Sequence, residues 1–339
     1  MHAASLESEL SKMGWRVYVV TLDNLPLLLK WLPHLVEKSI NSFNTPLGFY
    51  YKGRITRFLY RHFINLKADF RIFEDVYMSW NSIVPSVTIL HAVWSDNLQA
   101  YPSDEKKTLR LIAKEAAAIN EISHPVITVS RPYCDYLIDI HFSASPLTKT
   151  LDVIELGLDL SMFDGQAALK PETRSMIYCG ALEARKNVYF MLKVFKNISK
   201  IDPSASLTIV GAGPEKSGLV KYARAHKLNV TFVGRMPHVD VISALHQHSI
   251  YLHTSRKESF SFSLLEAKLS GLTTCALSSL EVPKEFIDVG FEEFNEDVWA
   301  QKIVSIDSPP DMHNFPDYST KRMTMRTLNL VGLASVNPD

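Results

Sequence analysis

The chain has 339 residues, too many for one ordinary core and suited to two domains of about 150 residues each. Apolar residues make up 46% and charged residues 21%, a globular balance that excludes a disordered or fibrous chain. Lys and Arg (36) balance Asp and Glu (36), so no global field points to nucleic acid, and Cys134, Cys179 and Cys275 give neither a disulfide framework nor zinc-ligand spacing.

The first residues carry Glu7 and Glu9 where a secretion signal is apolar, and no run of about twenty apolar residues predicts a membrane span. Leu6, Leu10 and Met13 at helical spacing predict a helix over 3–14, ended by Gly14. The β-branched run 16–22 predicts a buried strand. Strands are also predicted at 70–73, 86–90 and 126–130, with a helix over 108–122. After a linker near 155–172, a second set of strands is predicted at 176–179, 206–210, 230–233, 249–253 and 273–276. Helices are predicted between them at 188–199, 218–225, 240–246 and 263–270. This βα alternation is that of two successive α/β halves with parallel sheets.

The sharpest pattern is Glu258-Ser-Phe-Ser-Phe-Ser-Leu-Leu-Glu266, two carboxylates eight positions apart. Glu258 falls in the loop after a predicted strand, and Glu266 about one turn into the next helix. A helix N-terminus offers free N–H groups and positive partial charge to an anion, and carboxylates there can accept hydrogen bonds from sugar and ribose hydroxyls. The stretch 253–271 resembles the E-x7-E signature of retaining GT-B glycosyltransferases of the GT4 type, the group 1 glycosyltransferase family. The resemblance implies two Rossmann-like domains facing each other across a cleft. It also implies that Glu258 contacts the hydroxyls of a donor sugar, that Glu266 contacts a ribose, and that the backbone of Ser259, Phe260 and Ser261 meets phosphates.

The likeness extends beyond one motif. Residues 177–187 resemble the family's strand–Gly–Arg–Leu–x3–Lys element, which puts Lys186 at the phosphate-binding lysine. A fixed cation belongs there, because a departing nucleotide diphosphate gains negative charge as the glycosidic bond breaks. Ala181 stands where the family has Arg, with Arg185 beside Lys186 as its substitute. Residues 207–214 resemble the family's strand and G-x-G-P turn, bringing Gly211 and Gly213 into the donor set. Residues 230–235 resemble the strand whose end meets the nucleotide base, with Arg235 and Met236 as contacts. Residues 153–159 resemble the crossing between the domains, with Leu156 in place of the usual Asn.

In the first half, His91 stands at the carboxyl end of the strand 86–90, where open α/β sheets bind ligands. The resemblance makes it a residue of the cleft near the reacting carbon. Asp75, after the strand 70–73, is an acceptor-side residue. No Asp-x-Asp pair in strand context is present, so no metal and no cofactor is expected; Lys186, helix N-termini and backbone donors neutralise the phosphates. Between 51 and 73, Lys52, Arg54, Arg57, Arg61, Lys67 and Arg71 interleave with Tyr51, Phe58, Tyr60 and Phe63, next to the apolar segment 25–36. Residues 25–73 therefore suit contact with an anionic membrane surface, or form a solvated helix with snorkelling arginines.

The resemblance runs from about residue 4 to 305 and divides the chain into an acceptor-binding domain (1–160), a nucleotide-sugar-binding domain (161–308) and a C-terminal tail (309–339). Family members open with a strand and a glycine-rich turn before the helix that resembles 3–13, so the first domain is expected to lack its first strand. The tail is expected to lack the family's returning helix. The implied activity is retaining, metal-independent hexosyl transfer from a nucleotide diphosphate sugar to a glycan or lipid-linked acceptor hydroxyl. Bacterial-type surface polysaccharide, lipopolysaccharide or glycolipid assembly is the expected setting, in the cytoplasm at the inner face of the membrane. The alternatives are a non-catalytic sugar-nucleotide-binding remnant and a GT-B epimerase acting on UDP-sugars.

Overall fold

The computed structural model describes residues 2–333 apart from 43–46, 65–66, 100–104, 144–145, 164–173, 308–309, 311 and 313. The chain divides into two compact units, Met1–Asp159 with Asp317–Asp339, and Leu160–Pro316.

The first unit opens with helix α1 (His2–Lys12), followed by α2 (Leu32–Asn41) and α3 (Gly48–Phe63), which pack on each other. Then come β1 (Arg71–Phe73), β2 (Ser86–Leu90), α4 (Trp94–Gln99), α5 (Glu105–Glu121), β3 (Val126–Thr128), α6 (Arg131–His141) and β4 (Asp152–Val153). The four strands pair in parallel in the order β1-β2-β3-β4. Every residue of β2 is buried, as expected for a strand covered on both faces.

The expected strand at 16–22 is corrected. The segment forms no strand, and Tyr18 and Val19 are 59% and 48% exposed. A β-branched run becomes a strand only beside a partner edge, and none pairs with it among the described residues. Trp15 instead sets its ring edge-on to Phe70, 5.2 Å away.

The second unit contains β5 (Ser175–Cys179), α7 (Val188–Ile201), β6 (Ser206–Val210), α8 (Lys216–Ala225), β7 (Val230–Gly234), α9 (His238–Leu245), β8 (Ile250–Leu252), α10 (Phe262–Leu269), β9 (Thr273–Leu277), β10 (Val289–Phe291) and α11 (Glu296–Val304). Its six strands are parallel in the order β10-β9-β8-β5-β6-β7. The order reverses beside β5, between β8 and β6. Ligands of open α/β sheets bind at such a switch, outside the carboxyl ends of the strands.

Residues 317–339, read from the sequence as tail, return to the first unit. There α12 (Thr320–Leu330) packs on α1. Its Arg322 and Arg326 reach the same Glu155 oxygen at 2.8 and 2.7 Å, and Leu158 bridges to Ser319. The helix escapes an apolar-periodicity reading because Thr320, Thr324 and Thr327 occupy buried positions that such a search expects to be aliphatic.

Candidate functional site

In the second unit, the loop 184–187 follows β5 as one turn of 3-10 helix and ends at Asn187, whose φ is 52°. It is stitched to the loop after β8. Arg256 N donates to the Arg185 carbonyl at 2.9 Å, and the Thr254 hydroxyl donates to the Lys186 carbonyl at 2.9 Å. These bonds bring Lys186 Nζ into direct ion-pair contact with Glu258 Oε1. His253 Nε2 lies 3.3 Å from the same oxygen, although not aligned for a hydrogen bond. Burial opposes the charge on Glu258, but Lys186 and His253 outweigh it and hold the carboxyl well below the usual range. Burial likewise lowers His253, against the pull of Glu258.

Glu266 lies in the second turn of α10 and is buried. Its Oε1 is 2.7 Å from Nε2 of His238, the first residue of α9, and that hydrogen bond raises the imidazole above its ordinary value. Glu266 also acts electrostatically on Cys179, the last residue of β5. Between the two glutamates, the Phe260 side chain is core, packed between the rings of Phe262 and Phe286, so only its backbone can meet a ligand. Ser261 caps α10 from a left-handed backbone, φ 68°, its hydroxyl accepting from Leu264 N.

Gly211 and Gly213 have a structural reason. A Cβ on Gly211 (φ 143°) would stand 1.8 Å from the Gly180 carbonyl oxygen, and one on Gly213 would stand 2.2 Å from that of Leu182. The turn after β6 therefore lies backbone on backbone against the Gly180–Leu182 segment, with Leu182 N donating to the Ala212 carbonyl at 3.0 Å. Arg185 is held by Glu183 at 2.6 Å. The Arg235 side chain is exposed, and the Gly234 carbonyl before it accepts from Gly211 N at 2.7 Å. Tyr178 donates to the Ala181 carbonyl at 2.9 Å, close enough to Glu258 for its charge to act on the phenol.

In the first unit, His91 follows β2 and its Nε2 is 2.6 Å from Glu74 Oε2. Asp75 accepts from Tyr77 N at 2.6 Å, and burial pushes its carboxyl up to about 7 despite that bond and the nearby His91. The loop after His91 is fixed by a buried network. Tyr77 Oη donates to Glu115 Oε1 at 2.5 Å, Ser95 N donates to the same oxygen at 3.1 Å, and His141 Nε2 lies 3.0 Å from Oε2. Tyr133 and Tyr136 donate to Asp96, while Val93 N donates to Tyr133 Oη. The geometry thus joins His91, Glu74 and Asp75 in one unit, and in the other it joins Lys186, Glu258 and His253, and, as a second pair, Glu266 and His238. Sequence reasoning missed Glu74, His238, His253 and Glu115, single residues without a diagnostic spacing.

Among the described residues, no group of three His, Cys, Asp or Glu could hold a metal ion, and no helix is long and apolar enough to cross a membrane.

Comparisons with known proteins agree with this architecture. Residues 163–308 match the family described as glycosyl transferases group 1. A glycogen synthase of Mycobacterium tuberculosis is 28% identical over 192 residues, 56% of this chain and 45% of that protein. A phosphatidylinositol N-acetylglucosaminyltransferase subunit of Arabidopsis thaliana is 28% identical over 174 residues, 48% of this chain and 39% of that protein. The chain thus spans less than half the length of these curated relatives. The crystal structure of Anabaena HepE with UDP and glucose shares 18% identity with a TM-score of 0.55, covering 98% of this chain and 85% of that one. Sucrose-phosphate synthase of Thermosynechococcus elongatus shares 15% with a TM-score of 0.57, covering 83% and 74%. These likenesses show the fold, two α/β units with parallel sheets as in GT-B glycosyltransferases, and residues 163–308 are similar to the group 1 glycosyl transferases.

Proposed function

We propose that this protein transfers a hexosyl group from a nucleotide diphosphate sugar to an acceptor hydroxyl with retention of configuration. The observation that carries the reading is the contact of Lys186 with Glu258 at the carboxyl end of the second sheet, with Glu266 on the helix that follows. In this reading Lys186 and the backbone at 259–261 stabilise the diphosphate as it leaves, supplying its counter-charge without a metal ion. Arg185 adds to that field. Glu258 accepts from donor-sugar hydroxyls, Glu266 accepts from the ribose, and the backbone near Arg235 and Met236 meets the base. With retention, the leaving phosphate can take the acceptor's proton on the same face. His91 then serves orientation and charge stabilisation, beside Asp75 on the acceptor side.

A glycan or lipid-linked acceptor fits the surface of the first unit. Leu27, Leu28, Trp31 and Leu35 are 71%, 91%, 60% and 61% exposed, with Lys30 over the Trp31 ring, and α3 carries Arg61 and His62 in its last turn. We assign this face to an anionic membrane, the setting of surface polysaccharide or glycolipid assembly.

The test is a binding and turnover panel. Purified protein is titrated with UDP-, ADP- and GDP-sugars and then incubated with membrane lipid extract, in excess EDTA. The expected result is saturable binding of one donor class and acceptor-dependent release of its nucleoside diphosphate, with the anomeric configuration kept. Binding without turnover would reduce the protein to a sugar-nucleotide binder, an inverted product would overturn the mechanism, and metal-reversible loss of activity would overturn the role given to Lys186.

A further inference from the structure

His238 has no place in the motifs, yet it joins two parts of the second unit that the sequence holds far apart. Strand β7 ends at Gly234, whose φ of 91° turns the chain out of the sheet edge. The Gly234 carbonyl accepts from Gly211 N at 2.7 Å, which fixes the start of the loop 234–237. The loop ends at Pro237, and α9 begins with His238. The imidazole then reaches Glu266, on the neighbouring α10, at 2.7 Å. Glu266 is 5% exposed at its side chain, whereas His238 is 32% exposed, so the pair sits at the surface end of a buried carboxylate.

A glutamate side chain has three rotatable bonds, and a carboxylate offers about four acceptor positions. The imidazole takes one position on Oε1 and freezes the rotamer, leaving the remaining lone pairs aimed by the protein before any ligand arrives. Fixing a binding group beforehand removes part of the ordering cost of association. The same bond anchors the loop 234–237 to the carboxylate.

We propose that His238 is a positioning residue. It holds Glu266 against the loop 234–237, so that a vicinal ribose diol on Glu266 and the base on that loop's backbone are bound as one unit. The inference rests on the reading of this site as a nucleotide site.

The experiment is calorimetric titration of the full chain with UDP, ADP and GDP, and with the 2′,3′-dideoxy form of whichever binds tightest. Wild type is compared with His238→Ala and with His238→Gln, whose amide can still donate to Glu266. His238→Ala is expected to weaken the ribonucleotide about tenfold, the scale of one charge-assisted hydrogen bond. His238→Gln is expected to restore most of the loss. In turnover, the alanine variant raises KM for the donor with kcat unchanged. The dideoxy nucleotide is expected to lose clearly less affinity on His238→Ala than the ribonucleotide, because it has no ribose hydroxyls for Glu266 to bind and only the anchoring of the loop 234–237 still counts. An equal deficit with both nucleotides, or no deficit with the ribonucleotide, would overturn the role of His238 while leaving the nucleotide site intact. If wild type binds none of the three diphosphates, the reading of the site itself falls, and this inference with it.

Discussion

Lys186 Nζ and Glu258 Oε1 are in direct contact, with only 13% and 11% of their side chains exposed. Removing one partner of such a pair leaves the other charge buried and uncompensated, at a cost of about 3–5 kcal/mol. Lys186→Met should therefore lower stability and also reduce kcat by about 10²–10³-fold, the scale of one lost preorganised contact to a developing charge. Lys186→Met combined with Glu258→Gln should regain stability without regaining activity. Thermal melting and turnover of the two variants separate these effects. A double variant no more stable than the single one would show that the pair is not coupled.

Asp75 gives a pH-dependent stability whose sign is fixed by burial. Its folded value of about 7 exceeds the ordinary carboxyl value of 3.8, so between these limits the folded chain binds the proton that the unfolded chain releases. Its contribution is fully present below about 4 and is lost as pH rises to about 7. Asp75→Asn keeps an oxygen for Tyr77 N but carries no charge to desolvate. The variant should melt several degrees above wild type at pH 8 and at the same temperature at pH 4. Melting curves that track each other across this range would refute the burial argument.

Ser261 holds a left-handed backbone with an L side chain, φ 68°. That strain costs on the order of 1–3 kcal/mol, whereas exchanging a serine N-cap for glycine costs a few tenths. Ser261→Gly should thus raise the denaturant midpoint. A lowered midpoint would mean that the serine hydroxyl's bond to Leu264 N outweighs the strain.

The exposed face of the first unit predicts salt-sensitive attachment to vesicles containing about 30% phosphatidylglycerol. Basic residues near such a surface contribute about 1 kcal/mol each, and apolar side chains add their buried area. Leu28→Glu with Trp31→Glu should abolish co-sedimentation while leaving the melting temperature unchanged, since both side chains are exposed. Equal sedimentation of variant and wild type would exclude this face.

The strands most legible in the sequence are short apolar runs such as 86–90 and 206–210, where composition and pairing agree. The run 16–22 has the same composition without a partner edge, and composition alone misleads there. α12 is hidden for the opposite reason, since threonines fill its buried face. In the candidate site, the E-x7-E spacing is visible because one loop and one helix carry both glutamates. His238 comes from another element and His253 shares the loop of Glu258 without a diagnostic spacing, so only folding reveals that His253 stands beside Glu258 and His238 beside Glu266.

The polypeptide leaves the first unit at Asp159 and re-enters it at Asp317, which makes the second unit an insertion within the first. During synthesis the inserted half is therefore finished before its host. At 5–20 residues per second, the ribosome needs roughly 8–30 s to make the inserted stretch. Throughout that interval Glu155 waits without Arg322 and Arg326, and α1 waits without α12. Leu160–Pro316 can be expressed as one contiguous piece. Its host can be made alone only by joining Asp159 to Asp317 through a new linker, and a chain stopped before α12 would release a completed insert in an unfinished host.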